Sequence, residues 1–327
     1  MDELPNRRTP FYLAAAILIA ALWHLIPDLR MRKQMVKNAH HTLSKARSEK
    51  REDRVEELLS QGVGELESIF GARSLEAREA AFRAAELLQD RDWLVPALDY
   101  YRKCVASDDS SASRDWYRKK GFVEYKLTLI PEAAKSFQFA VHADFTSFGG
   151  STWSGCEDLR DLSNMHLLLG ETALALEEAQ RALNATGSEY LHASVCLPQL
   201  SRVHQARGDL EAARGALEAA AALQVSKNYQ SDAADSLGNA AILALLTGKT
   251  AAARERVEEA LTLCQNKLNL GPQSRLRFVL ACLETAEGHV AAGRMQLKRL
   301  LEHSPKDRTL TGYLGATRDA EDRKSVV

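Results

Sequence analysis

The stretch HLLLGETALALEEAQRAL, residues 166–183, is followed by three others on the same plan: VHQARGDLEAARGALEAA (203–220), LALLTGKTAAARERVEEAL (243–261) and ETAEGHVAAGRMQLKRLL (284–301). Aligned on Gly170, Gly208, Gly248 and Gly288, they recur after 38, 40 and 40 residues. Each glycine closes one helical run and opens an Ala-rich amphipathic one. Five residues further on stands a small residue: Ala175, Ala213, Ala253 or Gly293. Seven residues back stands another: Ser163, Ser201, Ala241 or Ala281. Twelve residues on come Ala182, Ala220, Ala260 and Leu300. The glycine permits a tight turn, and the small side chains let two antiparallel helices approach closely. One such hairpin leaves an apolar face uncovered, which stacking the next hairpin buries.

Two weaker copies precede these. Tyr117, Gly121, Ala133, Phe137 and Ala140 keep the register with Thr128 where the glycine would stand, and Ala81, Ala85, Ala97, Tyr101 and Cys104 keep it with Asp92 there. The six copies, with Pro305 closing the last, resemble the tetratricopeptide repeat, although their period exceeds the family's usual length of about 34 residues. The resemblance covers 75–305 and implies an all-α, right-handed solenoid of about six helix hairpins with a period of about 40. Two stretches interrupt it. One is the polar connector Ser107–Ser111; the other is a Gly/Ser loop over 146–155 that carries two aromatics, Phe148 and Trp153.

Composition agrees with a helical protein. Of 327 residues 45% are apolar but only 6% aromatic, so Ala and Leu dominate the apolar fraction. The 43 Lys+Arg against 44 Asp+Glu give a net charge of −1, unlike the strongly basic footprint of a dedicated nucleic-acid binder. Five cysteines, at 104, 156, 196, 264 and 282, form no CxxC pair, which favours reduced thiols over a disulfide framework.

Ahead of the repeats, FYLAAAILIAALWHLI (11–26) has no formal charge and is apolar all the way round. A retained membrane anchor, a cleaved signal peptide and a buried core helix all fit such a stretch. The missing small-residue cleavage site and the flanking Arg8 and Arg30 favour the anchor. Basic residues Arg30, Arg32, Lys33, Lys37, Lys45 and Arg47 follow it, so the positive-inside bias directs the remaining chain toward the cytoplasm. The expected organisation is an N-terminal tail (1–9), a single transmembrane helix (10–29), a basic stalk with an amphipathic helix (30–74), the repeats (75–305), and a C-terminal cap and disordered tail (306–327).

No phosphate-binding glycine loop, HExxH, GxSxG or DxDxDG pattern is present. The histidine pair His40–His41 has no neighbouring thiol or carboxylate, and His166 and His204 recur at one repeat position as core histidines. The expectation is therefore no catalytic residue, no metal, no cofactor, no nucleic-acid partner and no small-molecule substrate.

The resemblance implies function on the concave face, lined by the first helix of each hairpin. That face carries Arg118, Phe122 and Tyr125, then Arg160 and Asn164, then Arg202, and finally Phe278. Arg118, Arg160 and Arg202 recur at successive steps as a basic ladder suited to an acidic or carboxylate-bearing peptide. The expected function is a membrane-anchored scaffold or adaptor that binds a protein partner in this groove. A periplasmic or lumenal chaperone-like assembly factor and a permanent subunit of a membrane complex are the alternatives.

Overall fold

The computed structural model describes residues 31–105, 113–148, 152–185, 190–264 and 270–303. Among them every regular element is a helix. The chain forms two compact units, Met1–Leu129 and Ile130–Val327.

The first unit holds α1 (31–48), α2 (Glu52–Phe70), α3 (Leu75–Asp90), α4 (Leu94–Cys104) and α5 (Arg114–Lys126). Alanines make its close packing possible: Ala77, Ala80, Ala81, Ala84 and Ala85 of α3 and Ala97 of α4 are all buried. Between them sits an aromatic cluster. The Tyr101 ring meets Phe82 edge-on at 5.8 Å, and Phe82 lies 6.1 Å from Trp116 of α5. Arg78 is buried beside it because its charge has partners: its guanidinium lies 4.7 Å over the Trp116 ring and its Nε donates to Cys104 O at 2.7 Å.

The second unit holds α6 (Ile130–Phe148), α7 (Trp153–Leu168), α8 (Thr172–Ala185), α9 (Tyr190–Ala206), α10 (Leu210–Ser226), α11 (Gln230–Leu246), α12 (Thr250–Cys264), α13 (Leu270–Ala286) and α14 (Val290–His303). Each helix packs on the next. In addition α7 packs on α9 and α11 on α13, so the first helices of successive hairpins lie side by side. The conserved spacing of small residues has its physical counterpart here, since Ser163, Ser201, Ala241, Ala281, Ala175, Ala213, Ala253, Ala182, Ala220 and Ala260 are all buried. Helices α9, α10 and α11 are 17 residues each, joined by three-residue turns. Each is thus about one helical turn longer than a 34-residue repeat allows, which accounts for the period of about 40.

The turns share one conformation. Gly170, Gly208, Gly248 and Gly288 have φ between 75° and 90°, and Asp92 and Thr128 adopt φ 61° at the corresponding places. After each, the next N–H reaches back to the carbonyl five residues earlier, as in Glu171 N to His166 O (2.9 Å) and Leu129 N to Glu124 O (2.9 Å). This is the helix-terminating Schellman arrangement. Asn228 (φ 63°) makes the same turn between α10 and α11, with Tyr229 N donating to Gln224 O at 2.8 Å.

Two expectations change. The interval read as a loop over 146–155 is largely helical: α6 continues to Phe148 and α7 starts at Trp153. Thr152 caps α7 by accepting from Gly155 N (3.0 Å), while Thr152 and Ser154 both donate to the buried Asp144 carboxylate at 2.7 Å. The single-pass membrane location with a cytoplasmic repeat domain is corrected as well. No helix among the described residues is long and apolar enough to cross a membrane, and 10–29 lies outside those residues. The basic segment after it is occupied otherwise. Ala39 and Ala46 of α1 are fully buried, Leu43 lies where a side chain on Gly62 of α2 would be, and Arg91 donates to the α1 carbonyls of Ala46 and Arg47 and to Glu49 O. Its apolar stripe at Ala39, Leu43 and Ala46 packs on protein, while Met31 and Met35 are exposed.

Candidate functional site

In the first unit the sequence-predicted residues Arg118, Phe122 and Tyr125 share one face of α5, at the four- and three-residue spacing that aligns side chains on a helix. The Arg118 guanidinium covers the Phe122 ring at 5.2 Å, and Tyr125 is 40% exposed. Lys119 on the same helix pairs with Glu86 of α3 at 3.3 Å. The outcome is a half-buried cation resting on an aromatic ring with an exposed phenol beyond it.

In the second unit Arg160 and Asn164 lie one turn apart on α7, and Arg202 lies on the neighbouring α9. The half-buried Arg160 turns its Nε and Nη2 onto Asp161 Oδ1 (3.1 and 2.9 Å). Burial by itself would lower its pKa, but the Asp161 carboxylate overrides this and raises it. Arg202 is exposed and donates to Gln199 Oε1 at 3.2 Å. Gln199 is buried; its Nε2 donates to Ser163 Oγ (3.2 Å), which donates to Ala175 O (2.8 Å). A polar chain thus runs from the surface guanidinium on α9 through α7 to the start of α8. Gln199 was not among the sequence-predicted site residues; its signal was a glutamine three residues before Arg202, bonded here to the small residue Ser163.

Asn164 stands apart from this chain. Its Oδ1 is enclosed by protein and accepts no hydrogen bond. An enclosed acceptor in this condition costs about 1–3 kcal/mol.

The remaining candidates divide. Trp153 opens α7 and is 38% exposed, whereas the side chain of Phe148 lies outside the described residues. Phe278 is half-buried and packs against the core formed by Ala281, Leu297 and Leu300. The basic ladder resolves into separate parts, with Arg118 in the first unit and Arg160 and Arg202 in the second. His166 and His204 are half-buried residues at helix turns rather than core histidines. His166 Nδ1 lies 2.7 Å from Glu171 Oε2, and His204 Nδ1 lies 3.8 Å from Asp209 Oδ2.

Neither a protein-family model nor a curated protein sequence matches the chain. Solved structures match its fold. A tetratricopeptide repeat protein from Parabacteroides merdae superposes with a TM-score of 0.54 at 11% identity, over 88% of this chain and 99% of that one. The chain has a tetratricopeptide-repeat fold. The nearly identical TPR-like repeats of a putative kinesin light chain from Podosopora anserina superpose with a TM-score of 0.52 at 16% identity, over 62% and 99% of the two chains. A chain of the APC/C hetero-tetramer Cut9–Hcn1 gives 0.52 at 16% identity, over 79% of this chain and 45% of that one.

Among the described residues one group of metal-ligating type converges: Glu284, Glu287 and His289 at the turn ending α13. Arg254 of α12 already holds it, donating to Glu284 Oε1 (2.9 Å) and Glu287 Oε2 (2.5 Å). A guanidinium between two carboxylates supplies the positive charge that a metal would otherwise provide.

Proposed function

We propose that this chain is a non-catalytic scaffold that holds an extended segment of a protein partner against α7 and α9. One observation carries the reading: the exposed Arg202 of α9 stands one helix away from the half-buried Arg160 and Asn164, which lie one turn apart on α7. Arg202 would pair with an acidic side chain or carboxylate of the partner, and the half-buried Asn164 amide would meet its backbone nearby. Arg160 contributes less charge than its sequence position suggested, since Asp161 already binds it. The hetero-tetrameric assembly of the Cut9–Hcn1 chain, a neighbour in fold, is in keeping with such a role.

The test is quantitative crosslinking and affinity capture with the full chain and with Asn164→Ala/Arg202→Glu, both first shown to have the same thermal unfolding. Partners captured by the parent chain should be depleted at least about fivefold by the double substitution. Equal recovery with both chains would remove α7 and α9 from the binding surface and end this reading.

A further inference from the structure

Helix α1 differs in charge from the rest of the molecule. Its residues 31–48 include Arg32, Lys33, Lys37, Lys45 and Arg47, with His40 and His41, and no acid. All five Lys and Arg are exposed, and among the described residues none has a carboxylate within salt-bridge distance, although elsewhere in the unit Arg51, Arg83, Arg102, Lys103, Lys119, Lys120 and Lys126 are paired. Such a helix repels itself, and nothing in its own packing needs the charge, because α1 is seated through Ala39, Leu43 and Ala46.

Beside this basic face runs an open groove of about 640 Å³ between α1 and α3. Its lining is mixed: the half-buried Leu43 of α1 and Leu87 of α3 are the apolar groups it offers, over the buried Leu59 of α2 and Ala84 of α3. Along one wall stand His40 and Arg47, and Arg83 rises from the other. A shallower hollow lined by Lys33, Val36 and Lys37 shares His40 and extends the strip toward the start of α1. From Lys33 to Arg47 the strip is about 21 Å long at 1.5 Å per residue.

We infer that this groove is a docking site for an acidic amphipathic helix of a partner protein, whose apolar stripe lies on Leu43 and Leu87 while its carboxylates face α1. Charge complementarity selects the partner's sign, and the leucines at 43 and 87 select a partner with an apolar stripe. A nucleic-acid strand would meet Glu86 and Asp90 on the α3 side, which repel its phosphates. A partner helix presents one acidic side and one apolar side, so it satisfies α1 and the two leucines together and turns no charge toward Asp90. A three- to four-turn helix matches the length of the strip. This site lies in the first unit and does not rest on the proposal for α7 and α9.

The probe is a synthetic helical peptide of about sixteen residues with Leu at 3- and 4-residue spacing and Glu elsewhere, titrated against the full chain by fluorescence anisotropy. Three competitors accompany it: the same peptide with Lys for Glu, a scrambled isomer without an apolar stripe, and a single-stranded oligodeoxynucleotide of equal charge. The Leu/Glu peptide should bind, weaken as NaCl is raised, and bind Lys33→Glu/Lys37→Glu/Arg47→Glu at least about tenfold less well. Those three residues are exposed, so unfolding of the variant should match the parent. Asn164→Ala/Arg202→Glu should bind the peptide as the parent does, which separates this site from the other. The inference is overturned if the Lys peptide or the scrambled isomer binds equally well, or if charge reversal leaves the affinity unchanged. Displacement of the peptide by the oligonucleotide at lower concentration would also overturn it and make the face a nucleic-acid surface.

Discussion

Gly293 of α14 lies so close to Ala281 of α13 that a Cβ on residue 293 would sit 2.7 Å from the Ala281 carbonyl oxygen, and 2.4 Å from Thr285 Oγ1. The other copies have Ala175, Ala213 and Ala253 at this position, each fully buried. The helices of the last hairpin therefore approach closely at this point, and a backbone carbonyl as well as the Thr285 side chain stands in the way. Gly293→Ala should destabilise the chain by about 1–3 kcal/mol, despite the better helix propensity of alanine. Urea unfolding with intrinsic fluorescence measures this. An unchanged or raised midpoint would mean that α13 and α14 are not packed this closely.

Thr128 makes the turn after α5 with φ 61°, a conformation that a β-branched residue enters at a cost and glycine enters freely. Its hydroxyl bonds only to its neighbour, Leu127 O, at 2.6 Å. Thr128→Gly should raise stability by about 1 kcal/mol. Gly208→Val, at φ 82° in the equivalent turn, should lower it by at least as much. Paired thermal melts would show the two shifts in opposite directions. Same-sign shifts would contradict the shared turn geometry.

Burial pushes the Cys104 and Cys196 thiols up to about 12. Only the thiolate is nucleophilic, so both should resist alkylation at pH 8 in the folded chain and react promptly in denaturant. Cys282 is less buried and should be modified before them. Mass mapping after a short iodoacetamide pulse reads the order directly. Early labelling of Cys104 would show that α3 and α4 open readily.

Glu211 is held down to about 2 by hydrogen bonds from Lys249 (2.7 Å) and Arg214 (2.9 Å). A carboxylate whose folded pKa lies below its unfolded value of 4.5 gives its full stabilisation above 4.5, and loses it as the pH falls through about 2. Stability should therefore decline between those values, and Glu211→Gln should flatten part of that decline. Because the group is on the surface, added salt should shrink the difference. Denaturation midpoints at pH 5 and pH 2.5, with and without 0.5 M NaCl (about a 4 Å screening length), provide the comparison. A decline of equal slope in the variant would place the pH sensitivity elsewhere.

Much of the fold was legible because a hairpin's determinants are local. The glycines at 170, 208, 248 and 288 and the small residues around them report their own turn and their own helix contact, and each lies within a few turns of the others in sequence. The site was less legible. Arg160, Asn164 and Arg202 are on adjoining helices as their register implied, yet whether each is occupied depends on residues outside that register. Asp161 binds Arg160, and Gln199 binds Arg202. Phe278 followed the same rule of spacing and is half-buried, because α14 brings Leu297 and Leu300 against it.

Taken by itself, the sequence determined that this protein is a stack of antiparallel helix pairs, since periodicity, turn residues and small-residue spacing are encoded within each repeat. Tertiary structure alone decided that Thr128, Asp92 and Asn228 take the conformation of the turn glycines, because the helices on either side dictate the backbone between them. It alone decided that residues 31–48 pack on protein, since an apolar stripe on a basic helix does not specify what covers it. It also left Asn164 without a hydrogen bond, because satisfaction of a polar atom depends on every neighbour that reaches it, and those neighbours come from other helices.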